Sequence, residues 1–352
     1  MKVSVIMAVF NAGKFLKPTV ESVVNQTMAD WELVAVDDCS TDDSIEILRS
    51  FNDPRIKIIE KKINSGAAES RNLAIQYAQG EYLAVLDADD ISYPRRFEKQ
   101  VDFLEKHPDI AIVGSYADAI DEHGNKLFDI ILPLKSEEIR TRLLFESAMV
   151  QSSAMMRSVV ITQNSLYYDK AFTYVEDFEL FQRASRLVEI ANIPEVLIAY
   201  RYSLENITTR HYKEQSVLAI RAIGKHLQEL DIKTEPVQLD LLQALLYDFH
   251  PFTRSERIEF GRLYYAIFCH CKQSRSFSDT ILQAYFMRFH RLSCAGRWGY
   301  AKVLTSVLDL FPILKNNFNQ LNALSFVLFF KKSIALEVYQ KLFGRNNKSM
   351  SI

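Results

Sequence analysis

The chain has 352 residues, which at about 150 residues per domain is enough for two domains and a sizeable buried core. Apolar residues make up 48% and charged residues 24%, with 10 Gly and 9 Pro, a balance that excludes disordered, collagen-like and low-complexity chains. The 42 Lys and Arg against 44 Asp and Glu leave a net charge of -2, too even for a surface built to follow nucleic-acid phosphates, so no nucleic-acid partner is expected.

The first apolar run, residues 3–10, is followed at once by Asn11 and Gly13. It fits neither the hydrophobic segment of a secretory leader nor a spanning helix, and a cytoplasmic chain is the expectation. Further runs rich in β-branched residues fall at 32–36, 56–60, 82–86 and 110–116. Between the first two runs, Phe15, Leu16, Val20, Val23 and Val24 recur at helical spacing. Residues 67–78 do the same, entered by Ser65-Gly66 and closed by Gly80. The alternation predicts parallel strands joined by crossover helices. Because the strands are apolar on both faces, helices should cover both sides, giving an open α/β sandwich.

From about residue 204 the strand signal fades. Residues 214–230 and 239–247 have helix-forming composition, with a break at 231–236. These features predict a first domain over 1–212 and a helical region over 213–352. Cys39, Cys269, Cys271 and Cys294 show no disulfide framework and are expected as thiols. Cys269-His270-Cys271 reads as part of a buried helix without the spacing of a structural metal site.

In open α/β sheets ligands sit at the carboxyl ends of strands. Here those ends carry Ala8, Phe10 and Asn11, then Asp37-Asp38, Asn64-Ser65-Gly66, and Asp87-Ala88-Asp89-Asp90. Carboxylates gathered in one crevice repel unless a cation or a hydrogen-bonding ligand joins them. Asp87 and Asp89 are two apart, so on an extended chain they face the same side. With waters and diphosphate oxygens they suit the oxygen shell of Mg2+ or Mn2+. The plainer reading of D-x-D is a solvated turn or a helix cap. Asp38 is placed to accept from a base N–H or a ribose hydroxyl, whereas Asp42 reads as a helix-capping residue. Arg71 either brings positive charge to the crevice or forms a surface salt bridge. Glu176-Asp177, read alone, is a charge pair at a helix N-terminus.

Taken together, Val3-Ser4-Val5-Ile6-Met7 through Asn11, Val36-Asp37-Asp38-Cys39-Ser40-Thr41-Asp42, Asn64-Ser65-Gly66 with Arg71-Asn72, Gly80-Glu81-Tyr82 followed by Asp87-Ala88-Asp89-Asp90, and Glu176-Asp177 resemble the ordered signature of family 2 glycosyltransferases. The likeness covers about residues 1–210. It implies a GT-A sandwich, a nucleotide-sugar donor, an Mn2+ or Mg2+ cofactor and inverting sugar transfer to a glycan or lipid-linked acceptor. Carried over by position, it implies that Ala8, Phe10, Asn11, Asp38, Arg71 and Asp87 line the donor nucleotide and that Asp89 ligates the metal. By the same carry-over Glu176 faces the acceptor, Asp177 is the catalytic base, and Arg201 belongs to a Tyr-Arg segment that closes over the diphosphate. The family's His in that segment is Ser203 here, and another frequent His is Gln151; His211 lies near enough to substitute or is simply solvated. The Gln-x-x-Arg-Trp signature of processive synthases is not evident around Arg297-Trp298. The Glu-Asp-Phe and Tyr-Arg segments are similar to those of bacterial lipooligosaccharide transferases forming β-1,3 bonds to hexoses or N-acetylhexosamines.

Residues 323–330 are apolar apart from Ser325 and precede Lys331-Lys332, and from Lys315 onward six cations accompany one acid, Glu337. This asymmetry fits a helix lying on the anionic face of a membrane, where a lipid-linked acceptor is presented. It equally fits a packing helix with solvated lysines. The run is too short to span.

Overall fold

The computed structural model describes residues 1–202, 211–247, 252–274 and 276–285. The expectations placed on Ser203, Cys294, Arg297-Trp298 and the cationic tail lie outside these residues. The chain forms two compact units: one runs from Met1 to Lys233 and includes Cys271–Ile281, and the other runs from Thr234 to His270 and resumes at Leu282.

The first unit is built on β1 (Val3–Val9), α1 (Gly13–Val24), β2 (Trp31–Asp37), α2 (Ser44–Ser50), β3 (Ile56–Glu60), α3 (Ala67–Tyr77) and β4 (Tyr82–Val85). This is the alternation expected from the sequence. β1, β2 and β4 are almost wholly buried on both faces, the signature of a sheet covered on both sides. The close fit of Gly80 shows how tightly that layer packs, since a Cβ there would stand 2.5 Å from the Ser4 amide nitrogen. There follow β5 (Ile91–Ser92), α4 (Arg96–Lys106), β6 (Ile110–Ile120), β7 (Lys126–Ile130), α5 (Ser136–Arg142), a 3-10 turn at Gln151–Ser153, β8 (Met155–Arg157), α6 (Ser158–Gln163), a second 3-10 turn at Lys170–Phe172, α7 (Glu176–Ser185) and β9 (Glu189–Arg201).

These strands form one sheet in the order β3-β2-β1-β4-β8-β6-β9-β5, with β7 on β6. The amino-terminal part, β3-β2-β1-β4, is parallel throughout. Its other half mixes antiparallel pairs through β8, β7 and β5 with the parallel pair β6 and β9. Arg96, fully buried, donates to the carbonyls of Val85 at 2.9 Å and Ala154 at 3.2 Å and so joins the end of β4 to the approach to β8. The register of β6 on β9 slips midway: Ser115 faces Ile193, but Ala117 faces Ile198. The slack contains Pro194, which has no N–H to give a ladder.

α8 (Tyr212–Glu229) packs within the first unit, where Lys225 donates to Glu179 of α7 at 2.7 Å. In the second unit, α9 (Pro236–Leu246) opens with a reciprocal capping box between Glu235 and Gln238 and buries Leu241, Leu242 and Leu245. α10 (Arg254–Ser274) contains the Cys269-His270-Cys271 triplet as an ordinary helical stretch with Cys271 buried, as its sequence suggests. Among the described residues no helix is long and apolar enough to cross a membrane.

Candidate active site

The site is assembled at the carboxyl ends of β1, β2 and β4. Ala8 lies at the end of β1 opposite Val36, Phe10 is exposed just beyond it, and Asn11 turns the chain with φ 48°. The Asn11 amide oxygen accepts from the Thr41 backbone N–H at 2.8 Å, which ties the ends of β1 and β2 together. Asp42 accepts from the backbone N–H groups of Gly13 and Ser44, the first residues of α1 and α2, although the N-cap positions are Ala12 and Asp43 and neither makes a side-chain cap bond, so Asp42 braces the two helix starts from outside the cap position expected of it. Burial works against its charge, but the Ser44 and Gly13 hydrogen bonds hold its carboxyl below the usual range.

Asp38 is buried behind β2. Its Oδ1 accepts from Lys61 Nζ at 2.5 Å and from the Ser65 N–H at 3.0 Å, and its Oδ2 accepts from the Gly66 N–H at 2.7 Å. Gly66 stands at φ 93°, a conformation that favours glycine, so the chain can turn there into α3 with both amides aimed at one carboxylate.

α3 then delivers Arg71. One guanidinium nitrogen donates to Asp87 Oδ1 and another to Glu176 Oε1, both at 2.7 Å, while its charge lies 5.5 Å from the Tyr168 ring centre. Arg71 is therefore neither solvated nor isolated: it is a buried bridge between two carboxylates, which raise the pKa of its guanidinium against the pull of burial.

The Asp87–Asp90 turn is held from several directions. Ser152 receives the Asp87 N–H at 3.1 Å and donates to Asp90 Oδ2 at 2.5 Å. β5 follows at once and pairs with β9, which brings Arg201 alongside: its backbone N–H donates to Asp90 Oδ1 and its Nε to the Asp89 carbonyl, both at 2.8 Å. The Arg201 guanidinium also donates to the carbonyls of Asp121 and Glu122 and lies over the Phe15 ring. Burial and the Asp87 carboxylate push Asp89 up to about 6, and burial with the neighbouring Asp89 raises Asp90 well above the carboxylate range.

Glu176 and Asp177 open α7, where the helix dipole favours their charge. Asp177 accepts its own neighbour's N–H, from Phe178, at 2.7 Å. Burial, followed by the charge of Glu176, pushes it up to about 6, with Arg71 acting the other way and Asp87 adding to the rise. Asp89 and Asp177 are thus both within the electrostatic reach of Asp87 and Arg71. Carboxylates of the β4–β5 connection and of α7 thus share one acidic centre, in which the Arg71 guanidinium of α3 joins Asp87 to Glu176. Tyr174, two residues before Glu176, sits at φ 73° and stacks on His211 with ring centres 4.4 Å apart, so that histidine serves as a ring partner.

Three participants carry no local sequence signal: Lys61, Ser152 and Tyr168. Their contacts join segments far apart in the chain, so no short-range pattern marks them.

Among the described residues no three His, Cys, Asp or Glu side chains converge as a ready-made metal cage. The donor chemistry of Asp87 and Asp89 nevertheless fits Mn2+ or Mg2+. Two carboxylates share one turn, and burial with the Asp87 charge raises Asp89, a cost that a divalent cation held there would offset.

The family description Glycosyl transferase family 2 matches residues 4–163. A Haemophilus influenzae protein named as an uncharacterized glycosyltransferase is 34% identical over 227 residues, covering 62% of this chain and 70% of its own. The Escherichia coli UDP-Glc:alpha-D-GlcNAc-diphosphoundecaprenol beta-1,3-glucosyltransferase WfgD is 28% identical over 215 residues, 60% of this chain and 81% of its own. Among solved structures, S. aureus TarS 1-349 in complex with UDP-GlcNAc superposes with a TM-score of 0.57 at 19% identity, covering 83% of this chain and 87% of that one, a likeness of fold. With these relatives beside the strand-end carboxylates and the mixed sheet, the chain is a glycosyltransferase and belongs to glycosyl transferase family 2.

Proposed function

We propose that this enzyme moves one sugar from a UDP-sugar to a hydroxyl of a glycan or lipid-linked acceptor, with inversion at the anomeric carbon and with a divalent metal. The observation that carries the proposal is the shared acidic centre, in which the Arg71 guanidinium bonds both Asp87, on the turn of Asp89, and Glu176, next to Asp177, each at 2.7 Å. Asp38, Asp87 and the strand-end residues Ala8, Phe10 and Asn11 bind the nucleoside, and Asp89 would hold Mn2+ or Mg2+. When bound, the metal offsets the charge that develops on the departing nucleoside diphosphate. Asp177 takes the proton of the attacking hydroxyl. Its pKa near 6 keeps it ionised at neutral pH and still basic enough to accept a proton. Glu176 orients the acceptor, and Arg71 holds Glu176 and Asp87 at fixed separation. Arg201 sets the backbone of Asp89 and so places the edge of the diphosphate site. A single base on the face opposite the leaving group implies direct displacement through an oxocarbenium-like transition state, converting an α-linked donor into a β-linked product.

A lipid-linked acceptor is supported by the WfgD likeness, since that enzyme's name specifies a diphosphoundecaprenol-linked sugar. It calls for work at the cytoplasmic face of a membrane, in cell-surface polysaccharide or lipooligosaccharide synthesis. Calorimetry with UDP, GDP and their sugars in Mn2+ tests the reading. Binding of UDP and at least one UDP-sugar, with donor turnover, is expected, and absence of UDP binding overturns it.

A further inference from the structure

Gln151 opens the 3-10 turn that leads into β8, and it is more than nine-tenths buried. Its amide nitrogen donates to the Tyr168 hydroxyl at 2.9 Å, while its Oε1 is buried and has no hydrogen-bond partner among the described residues. Turning the amide over would exchange which atom is spent, but one polar amide atom stays unmatched either way. In the arrangement observed, the Tyr168 hydroxyl accepts from Gln151 and its own proton is directed to no acceptor among the described residues. Burial raises the pKa of this phenol, so the proton is retained. The third unmatched group is close by through Arg71: Glu176 gives Oε1 to that guanidinium, and its buried Oε2 has no partner among the described residues.

Buried polar atoms without partners are uncommon and costly, and here they gather beside the acidic centre. The Tyr168 hydroxyl feels the charges of Arg71, Asp87 and Asp177. Gln151 and Tyr168, 2.9 Å apart, offer an unmatched acceptor and a donor side by side, which is the complement of a polyol, whose hydroxyl groups both give and take hydrogen bonds. The surroundings of the pair favour the donor sugar. Ser152, next in the chain, is bonded to the Asp87 N–H and to Asp90, and the Tyr168 ring lies 5.5 Å from the Arg71 guanidinium that bonds Asp87, so the pair stands beside the turn proposed to hold the donor.

We infer that Gln151 and Tyr168 form a subsite for the transferred sugar, in which the Gln151 amide and the Tyr168 hydroxyl read a ring hydroxyl and so set which UDP-hexose is accepted. This inference rests on the nucleotide-sugar reading above. It assigns Gln151 a specificity-determining role in place of the diphosphate or metal contact considered for a histidine at that position.

The test is calorimetry on the full chain in Mn2+ with UDP, UDP-glucose, UDP-galactose, UDP-GlcNAc and UDP-GalNAc, for wild type, Gln151→Leu and Tyr168→Phe. Wild type is expected to rank the four sugars. Each variant should shrink the ratio between best and worst by about tenfold, the worth of a hydrogen bond or two, while UDP affinity stays within about twofold. If Gln151→Leu does not fold, Tyr168→Phe decides, since it keeps the ring beside Arg71. A ratio unchanged in a folded variant, or an equal loss for UDP and UDP-sugars, overturns the inference. Wild type that binds UDP but does not rank the sugars also overturns it and leaves the nucleotide reading standing. Wild type that binds no UDP removes the nucleotide reading and this inference with it.

Discussion

Arg71 and Glu176, 105 residues apart in sequence, meet in a buried hydrogen bond of 2.7 Å. The contact fixes α7, which carries Asp177, to α3, whose arginine also grips Asp87. Two halves of the proposed reaction, leaving-group departure and proton removal, are joined by one guanidinium.

Removing that guanidinium should therefore cost stability as well as activity. Arg71→Met would leave Asp87 and Glu176 facing each other without a counter-charge, and breaking a buried pair of this kind is worth about 3–5 kcal/mol. Arg71→Lys should recover only part of it, because an ammonium cannot reach two carboxylates as a planar fork does. Urea denaturation of the three proteins measures this. A loss below about 1 kcal/mol in Arg71→Met would mean that the bridge is not what holds α3 to α7.

Asp177→Asn keeps the shape of the site and removes its basicity. Turnover should fall about 10²-fold or more, the usual worth of a general base, with UDP affinity within about twofold of wild type. Steady-state kinetics alongside calorimetry separates the two quantities, and near-normal turnover would place the base elsewhere.

The pH profile follows from the same carboxyl group. As the proposed base Asp177 would work only when ionised, and burial with the Glu176 charge pushes its pKa up to about 6, so kcat/KM should climb tenfold per pH unit below about 6 and level off above it. Neutralising the neighbour in Glu176→Gln removes a repulsion that favours the protonated form. The acid limb should then move to lower pH. An unmoved or upward-shifted limb would mean that the Glu176 charge is not what raises Asp177.

For the metal, Asp89→Asn should abolish the part of UDP affinity that depends on Mn2+ while leaving a weaker, metal-independent binding to the nucleoside portion. Titrations with Mn2+ and with EDTA report the difference. A variant whose affinity still rises with Mn2+ as in wild type would shift ligation to another carboxylate.

The strands over 3–10, 32–36, 56–60, 82–86 and 110–116 were legible because each is a run of apolar, β-branched residues long enough to show its character, and all five appear in the sheet. β5 and β8 were not, since two and three residues carry no period; they exist because β9 pairs with one and β4 and β6 with the other. The acidic turn could be read from Asp87 and Asp89 alone. The environment of Arg71 could not, because a solvated salt bridge and a buried bridge use the same residue, and only the arrival of Glu176 decides between them. Ser152 and Tyr168 were equally hidden: their partners Asp90 and Gln151 stand 62 and 17 residues away.

The slip in β9 acts as a phase adjuster. Beyond it the partners run in step, from Ala117 opposite Ile198 to Ile120 opposite Arg201, so the stretch from Ile198 to Arg201 is metered residue for residue by β6. An extra residue inserted there would rotate Arg201 to the opposite side of the sheet and detach it from the Asp89 carbonyl. The same insertion beside Pro194 would be absorbed where the ladder is already loose, so the tolerance of this strand to length change ends where its grip on the acidic turn begins.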